Sequence, residues 1–321
     1  MFEFIKNLFR KSYLNIFITD EYFQILTLKK VQGEFVVEGA IHTPLAKGIV
    51  KNGEILKEKE LADSIKQLIP AKTKNCNLAV SDLQGYEYIF YLPKDLSGNH
   101  FELALEKLIA ETIPLELFEI KYDYKVSLHG NVKVVFVTAM RKEVLAQYYE
   151  VCNHYLGLNP KALEPSSLSL LRNIPHDFSQ DQGSIVIDID KKCLKVLTLW
   201  ACDIFDSQQI SLESLDANSQ VLVDSIKNSA ESLSKVTQRG IKQILVSGNS
   251  IIKPKIVAML QEKLKTEVLE APVEGIEKYK VNISNNEDEN FNFRVVSGLA
   301  LRNYSNSGIS INLLYKKSFN Q

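Results

Sequence analysis

Residues 13–42 and 184–212 share one signature: an apolar stretch rich in β-branched residues, a short break, and further extended sequence, after which helical and strand periodicities alternate. A strand-turn-strand unit that occurs twice, without any short-period repeat, is the mark of a duplicated fold. At 321 residues with 45% hydrophobic content, the chain buries a sizeable core, and its length suits two lobes rather than one compact unit.

In the first half, Tyr13 to Leu28 and Phe35 to His42 read as the arms of a β-hairpin turned at Val31-Gln32-Gly33-Glu34. Leu61, Ile65, Leu68 and Ile69 recur at helical spacing ahead of Pro70, and Asn77 to Val80 returns to a strand. The block that follows reads β-α-β-β-α. It comprises the strand in YIFYLPKDLS, a helix marked by Phe101, Leu105, Leu108 and Ile109, strands Glu119–Ser127 and Val132–Ala139 around His129-Gly130-Asn131, and a helix Lys142–Tyr155. It is expected to be an inserted subdomain, residues 87–156, within a first lobe of residues 12–86 and 157–182.

Leu158 to Ala162 leads into a helix near Pro165, and the polar stretch His176–Gly183 reads as the linker. The second lobe, residues 183–304, is expected to hold strands Ser184–Ile189, Leu194–Trp200 and Ile204–Leu212. A helix with Leu222, Ile226, Ala230, Leu233 and Val236 on one stripe should then be capped at Gly240. Strand Ile244–Ser247, helix Lys253–Leu264 and a last helix Val295–Asn303 complete it, before a flexible tail, residues 305–321.

Lysine and arginine total 38 against 39 acidic residues, and no basic stripe interleaved with aromatics occurs, so nucleic-acid binding is not expected. Cys76, Cys152, Cys193 and Cys202 lack CxxC spacing and read as reduced packing residues. His42, His100, His129, His154 and His176 show no HxxxH or HExxH pattern, so no metal site is expected. Neither GxSxG nor GxxxxGK[ST] occurs, and Glu106, Glu111 and Glu287-Asp288-Glu289 read as solvated faces. No apolar run reaches the ~18–20 residues that span a bilayer, and the opening has no cleavable-signal pattern; a soluble, cytoplasmic chain is expected. Residues 1–11 place Phe2, Ile5, Leu8 and Phe9 opposite Lys6, Arg10 and Lys11. That pattern suits a membrane surface or a short helix packed on its own domain.

Several segments, in order, resemble the PilM family of type IV pilus assembly proteins, which shares the actin-like fold with the cell-division protein FtsA. They are GIVKNGEI (Gly48–Ile55), FELALEKLIAETIPLELFEIKYDYKV (Phe101–Val126), the run Val134–Arg172, ILVSGNSIIKPKIVAMLQEKL (Ile244–Leu264) and VVSGLALR (Val295–Arg302). The resemblance implies an α/β, actin-like (ribonuclease H-like) two-lobe fold with an inserted β-α-β-β-α subdomain. The second lobe would be reduced, because the family's small subdomain is replaced between Leu212 and Gln220 by the short connection Glu213–Ser219.

Actin-like enzymes hold nucleotide phosphates in two hairpins that each carry an Asp near a Gly, because backbone without Cβ approaches phosphate closely. In this sequence Phe17 and Thr19 stand where the first hairpin of the family has Asp and Gly. In the second, Asp188 is kept but Asp190 replaces the glycine, with Lys191 and Lys192 beside it. At the adenosine-side motif Gly248 survives, and Asn249 and Ser250 replace glycines. The resemblance therefore implies a pseudo-ATPase with no catalytic residue and no required cofactor; the alternatives are a working actin-like ATPase, with Asp188 holding Mg²⁺ through water and Gly248 admitting the adenosine, and an FtsA-like membrane tether using residues 1–11. The degenerate site for ATP with Mg²⁺ would be Asp188, Gly248, Asn249 and Ser250. Asp188 has a second reading as a turn-capping residue.

The family grips the cytoplasmic tail of a membrane protein, PilN, through an Ile-Asn-Leu-Leu-Pro motif. This chain carries its own version in ISINLLYKK, Ile309–Lys317, where Ile311, Asn312, Leu313 and Leu314 match and Tyr315 replaces the proline. The implied partner is a PilN-like bitopic membrane protein, beside other pilus platform or motor proteins, and the implied place is the inner face of the cell membrane. Residues 311–314 are read as an occupant of the chain's own groove, as an occupant of a neighbour's groove by self-association, as an edge strand, or as a relic of or a cut from a longer PilM-PilN fusion. The groove is expected between the core sheet of the first lobe and the inserted subdomain.

Overall fold

The computed structural model describes residues 13–69, 73–174, 182–190, 193–200, 203–217, 219–248, 251–271, 293–304 and 310–314. Residues 1–11, Pro70, His176, Lys191, Lys192, Cys202, Asn249, Ser250, residues 287–289 and Tyr315 lie outside the described residues, as do the expectations attached to them.

In chain order the first lobe begins with β1 (Tyr13–Ile18), β2 (Tyr22–Val31), β3 (Glu34–Pro44), the short pair β4 (Val50–Lys51) and β5 (Glu54–Ile55), α1 (Glu58–Lys66) and β6 (Asn75–Val80). Next come β7 (Gly85–Pro93), α2 (Gly98–Thr112), β8 (Ile120–His129), β9 (Val132–Arg141), α3 (Lys142–Glu150), β10 (Asn159–Pro165) and α4 (Ser166–Leu171). The remaining elements are β11 (Gly183–Ile189), β12 (Cys193–Trp200), β13 (Asp203–Ser211), α5 (Leu212–Ala217), α6 (Gln220–Thr237), β14 (Ile241–Gly248), α7 (Lys253–Lys263), β15 (Glu267–Glu270) and α8 (Arg294–Leu301).

Two five-stranded sheets have one topology. The first runs β3-β2-β1-β6-β10 and the second β13-β12-β11-β14-β15. In each, three antiparallel strands are extended by two parallel ones. The parallel strands are covered on both faces and so read as continuous apolar runs: every residue of β6 is buried, and Ile185, Val186 and Ile187 of β11 are fully buried. This duplication is the actin-like architecture expected from the sequence.

Several elements differ from the expectation. The stretch 13–28 is two strands, because Thr19 closes a turn: its Oγ1 accepts the N–H groups of Glu21 at 3.3 Å and Tyr22 at 3.1 Å. Helix α6 ends at Gln238, whose φ of +57° and N–H bond to Ser234 O at 2.8 Å terminate it two residues before Gly240. The short connection after Leu212 contains the one-and-a-half-turn helix α5. Strand β15, four residues long, was too short to stand out in the sequence. Glu106 is not simply solvated: it accepts a 3.0 Å hydrogen bond from Tyr122 Oη.

Packing also reassigns two helices. Val144, Leu145 and Tyr148 of α3 enter the core formed by Leu14, Ile16, Leu61 and Leu78, so α3 covers the first-lobe sheet rather than the inserted one. The last helix, α8, packs on Phe17, Leu26, Leu28 and Ala79 of the first lobe, although it follows the second lobe in sequence. Its Gly298 lies against α4, where a Cβ would overlap the Ser169 carbonyl oxygen.

The inserted sheet, β7-β9-β8, is covered on one face by Phe101, Leu105 and Ile109 of α2. From its other face Phe136 joins Leu168 and Leu170 of the first lobe and Val186, Leu197 and Leu245 of the second in one cluster. The insert is thus wedged against both lobes.

Because backbone rather than a flexible side chain faces Gly298, Gly298→Ala is expected to lower stability by about 3 kcal/mol or more. The check is the denaturant midpoint at unchanged slope; a shift under about 1 kcal/mol would mean that the α4–α8 contact is looser than described.

Candidate functional site: a groove beside β10 and an interlobe cleft

Strand β10 is the edge of the first sheet, and an edge strand presents unpaired N–H and C=O groups that must be covered. Here residues 310–314 cover them. Leu313 N–H donates to Leu163 O at 2.9 Å, and the Asn312 carboxamide does the work of a second peptide group. Its Nδ2 donates to Lys161 O at 2.9 Å, while its Oδ1 accepts from Leu163 N–H at 3.1 Å and from Leu314 N–H at 3.2 Å. The segment forms no strand of its own, but one backbone hydrogen bond and one side chain together mimic a rung of the ladder on the β10 edge.

Two side chains fix the register of the segment. Asp123 on β8, itself buried, accepts the backbone N–H of Asn312 at 2.8 Å. Arg302, just past α8, donates to Ile311 O at 2.8 Å and Ser310 O at 3.3 Å. The apolar side chains do the rest. Ile311 and Leu313 are each 1% exposed, Ile311 in the cluster shared by the insert and both lobes and Leu313 in the core of the first lobe. Burial of each contributes roughly 1.5–3 kcal/mol.

Arg302 is anchored in turn. Together with Arg172 it bonds Glu164, a fully buried carboxylate on β10, with Arg172 Nη2 at 2.8 Å from Oε2. Burial alone would raise the pKa of Glu164, but the two guanidinium groups hold it below the usual carboxylate range.

The four residues singled out in the sequence, Ile311, Asn312, Leu313 and Leu314, therefore come together in one groove, between the first-lobe sheet and the insert. Asp123 and Arg302 were missed, because nothing in their own neighbourhoods marks them; only the topology brings β8 and the end of α8 to β10.

The interlobe cleft lies between the β1–β2 turn and the end of β11. Phe17 is turned into the α8 core and meets Tyr22 edge-to-face with centroids 6.1 Å apart. Asp20 accepts Asn52 N–H and Gly53 N–H of the β4–β5 turn at 2.8 Å each. A cavity of about 20 Å³, room for about one water, is lined by Thr19, Asp20, Glu21, Tyr22, Ser81, Leu83 and Asp190.

Across the cleft, Asp188 accepts Ser247 Oγ–H at 2.7 Å. Its pKa is pushed up to about 6 by burial and by the charge of Asp190, against the Ser247 bond and the Arg294 charge. Burial and the same two aspartates drive Tyr22 well above its ordinary value. Gly248 has φ +98°, and a Cβ there would overlap the backbone of Ile189 on β11, so strand pairing alone requires this glycine. Asn249 and Ser250 lie outside the described residues. Among the described residues no group of three or more His, Cys, Asp or Glu is placed to hold a metal ion, and no helix is long and apolar enough to cross a membrane.

Duplicated five-stranded sheets about a cleft, with an insert wedged between them, define an actin-like two-lobe protein. The sequence profile of the type IV pilus assembly protein PilM matches residues 16–196, and the chain belongs to that family. Its fold is similar to that of a PilM-PilN type IV pilus biogenesis complex, with TM-score 0.71 and 19% identity over 91% of this chain and 98% of that one. It is also similar to the cytoplasmic domain of EpsL, an inner membrane component of the type II secretion system of Vibrio cholerae (TM-score 0.53, 11% identity, 95% and 99% covered). A third similar structure is a Bacteroides thetaiotaomicron protein with an actin-like ATPase fold (TM-score 0.53, 11% identity, 84% and 93% covered). Among curated proteins none matches.

Asp188 is matched by Asp82, whose pKa is also pushed up to about 6, by burial and by Glu87 against Lys195. For both, the folded state binds more protons than the unfolded state between pH ~4 and ~6, so stability rises as pH falls through that window. Glu164 and Glu87, held below their usual value, withdraw stability only as pH falls below the unfolded carboxylate range. The melting temperature is thus expected to rise from pH 7 toward pH 5 and to fall in stronger acid. In Asp188→Asn the rise should be smaller; an unchanged slope would show that Asp188 is ordinary.

Proposed function

We propose that this chain is a non-catalytic scaffold on the cytoplasmic face of a type IV pilus or related secretion platform, docking the cytoplasmic segment of a PilN-like membrane protein in the groove beside β10. The observation that carries the reading is the seating of Asn312. The backbone of an exposed-edge strand, Asp123 and Arg302 together read an extended segment whose Asn is flanked by apolar anchors. Capture of a segment along a sheet edge, with aliphatic side chains in pockets, is a recurring mode of peptide recognition. The similarity to a PilM-PilN complex supports a partner of that kind.

The cleft supports the non-catalytic part. The residues there do not fit ATP with Mg²⁺: Tyr22 places an aromatic ring and Asp190 a carboxylate at the wall of the cavity, where a phosphate needs backbone N–H groups. Gly248 is accounted for by its contact with Ile189 and is no sign of an adenosine site. No catalytic step follows from this arrangement.

Two measurements test the proposal. A fluorescent peptide with the sequence of residues 308–317, titrated with the full chain carrying Asn312→Ala, should bind saturably. Replacing its Asn by Ala, or adding Asp123→Ala to the protein, should weaken binding about tenfold or more, one charge-assisted hydrogen bond being worth roughly 1.5–3 kcal/mol. Absence of binding up to about 1 mM, a limit near −4 kcal/mol, would refute the docking reading. Separately, millimolar ATP with Mg²⁺ should leave the melting temperature unchanged; a shift of several degrees would refute the loss of nucleotide binding.

A further inference from the structure

Resting on the docking reading above, we infer that residues 310–314 are an intramolecular competitor, which keeps the groove filled by the chain itself and admits a partner's segment only by exchange.

The groove has nothing left for a second segment of the same chemistry. Lys161 O and both polar backbone groups of Leu163 are bonded to Asn312 and Leu313, the Asp123 carboxylate to Asn312 N–H, and Arg302 to the carbonyls of Ser310 and Ile311. The two apolar sockets are equally full, with Ile311 and Leu313 each 1% exposed. A partner segment therefore meets no preformed vacancy and must take these bonds over.

The connection is short. Only residues 305–309 separate Ser310 from Tyr304, and Tyr304 is itself held by its Oη–H bond to Leu28 O at 3.1 Å. A ligand joined to its site by so few residues acts at an effective concentration on the order of millimolar. A free segment of equal intrinsic affinity then binds more weakly in proportion to that concentration over its own Kd.

Exchange also reaches beyond the groove. Ile311 lies among Phe136 of the insert, Leu168 and Leu170 of the first lobe, and Val186 and Leu197 of the second. The residue that a partner must displace is the one that fills the junction of all three units, and this places the exchange where it changes how the insert is held against the lobes.

The peptide of residues 308–317 is the probe. It is expected to bind the Asn312→Ala chain at least about tenfold more tightly than the wild-type chain. Hydrogen exchange on the wild-type chain, with the peptide distinguished by isotope mass, gives a readout that needs no variant to fold. The amides of Leu313 and Leu314 should be protected in the free chain and lose protection at saturating peptide, while the Leu163 amide stays protected. Equal, saturable affinity for both chains, or Leu313 and Leu314 amides that exchange freely without peptide, would overturn the competitor and leave the docking reading in place. Binding to neither chain up to about 1 mM would overturn both.

Discussion

The Glu164 carboxylate, with no contact to solvent, is the interaction on which the rest of the arrangement depends. A buried charge persists only when it is paired and hydrogen-bonded, and this one takes Arg172 from the end of α4, Arg302 from beyond α8, and the hydroxyl of Ser169 at 2.6 Å. Removing one partner would leave uncompensated charge in the core, so α4 and α8 are both bound to one position relative to β10. That geometry creates the groove: the edge of β10 is one wall, and Arg302, held by Glu164, reaches out to the segment that lies along it.

A second ionic contact fixes the insert. Glu87 on β7 pairs with Lys195 on β12 at 2.8 Å and accepts Ser167 Oγ–H at 2.9 Å and the Ser207 hydroxyl, so one carboxylate touches the insert, the first lobe and the second. Burial would lower the pKa of Lys195, but the charges of Glu87 and Asp82 raise it above its ordinary value and keep it ionised. Polar and apolar contacts therefore agree, the Phe136 cluster lying beside this pair. An actin-like chain held in this way suits the proposed scaffold role, whereas a nucleotide machine needs lobes that open and close.

Much of the fold was legible in the sequence. The duplicated unit showed in the apolar strands around Ile16, Leu78, Ile187 and Leu245, which are buried on both faces and stand out as runs. The groove occupant was legible through Asn312, a polar residue set between aliphatic neighbours. What could not be read was non-local. Periodicity marks α8 as a helix but does not say that it returns to the first lobe, and α3 looks like the end of the insert until Tyr148 is found reaching Gly53 O at 2.8 Å. Asp123 belongs to a strand whose pattern is ordinary, and its role exists only because β8 passes the end of β10. The cap at Gln238 was missed because a glycine two residues later offered the more usual signal.

The central claim is that the Asn312 carboxamide completes the edge of β10, and nitrogen-15 NMR of the intact chain, with the Asn312 side-chain amide assigned by substitution, tests it most directly. The account predicts a resonance displaced from the free-peptide position, with its two protons slow to exchange and with nuclear Overhauser contacts to the Leu163 amide. A side-chain amide at the free-peptide shift, exchanging freely and without contact to Leu163, would contradict it.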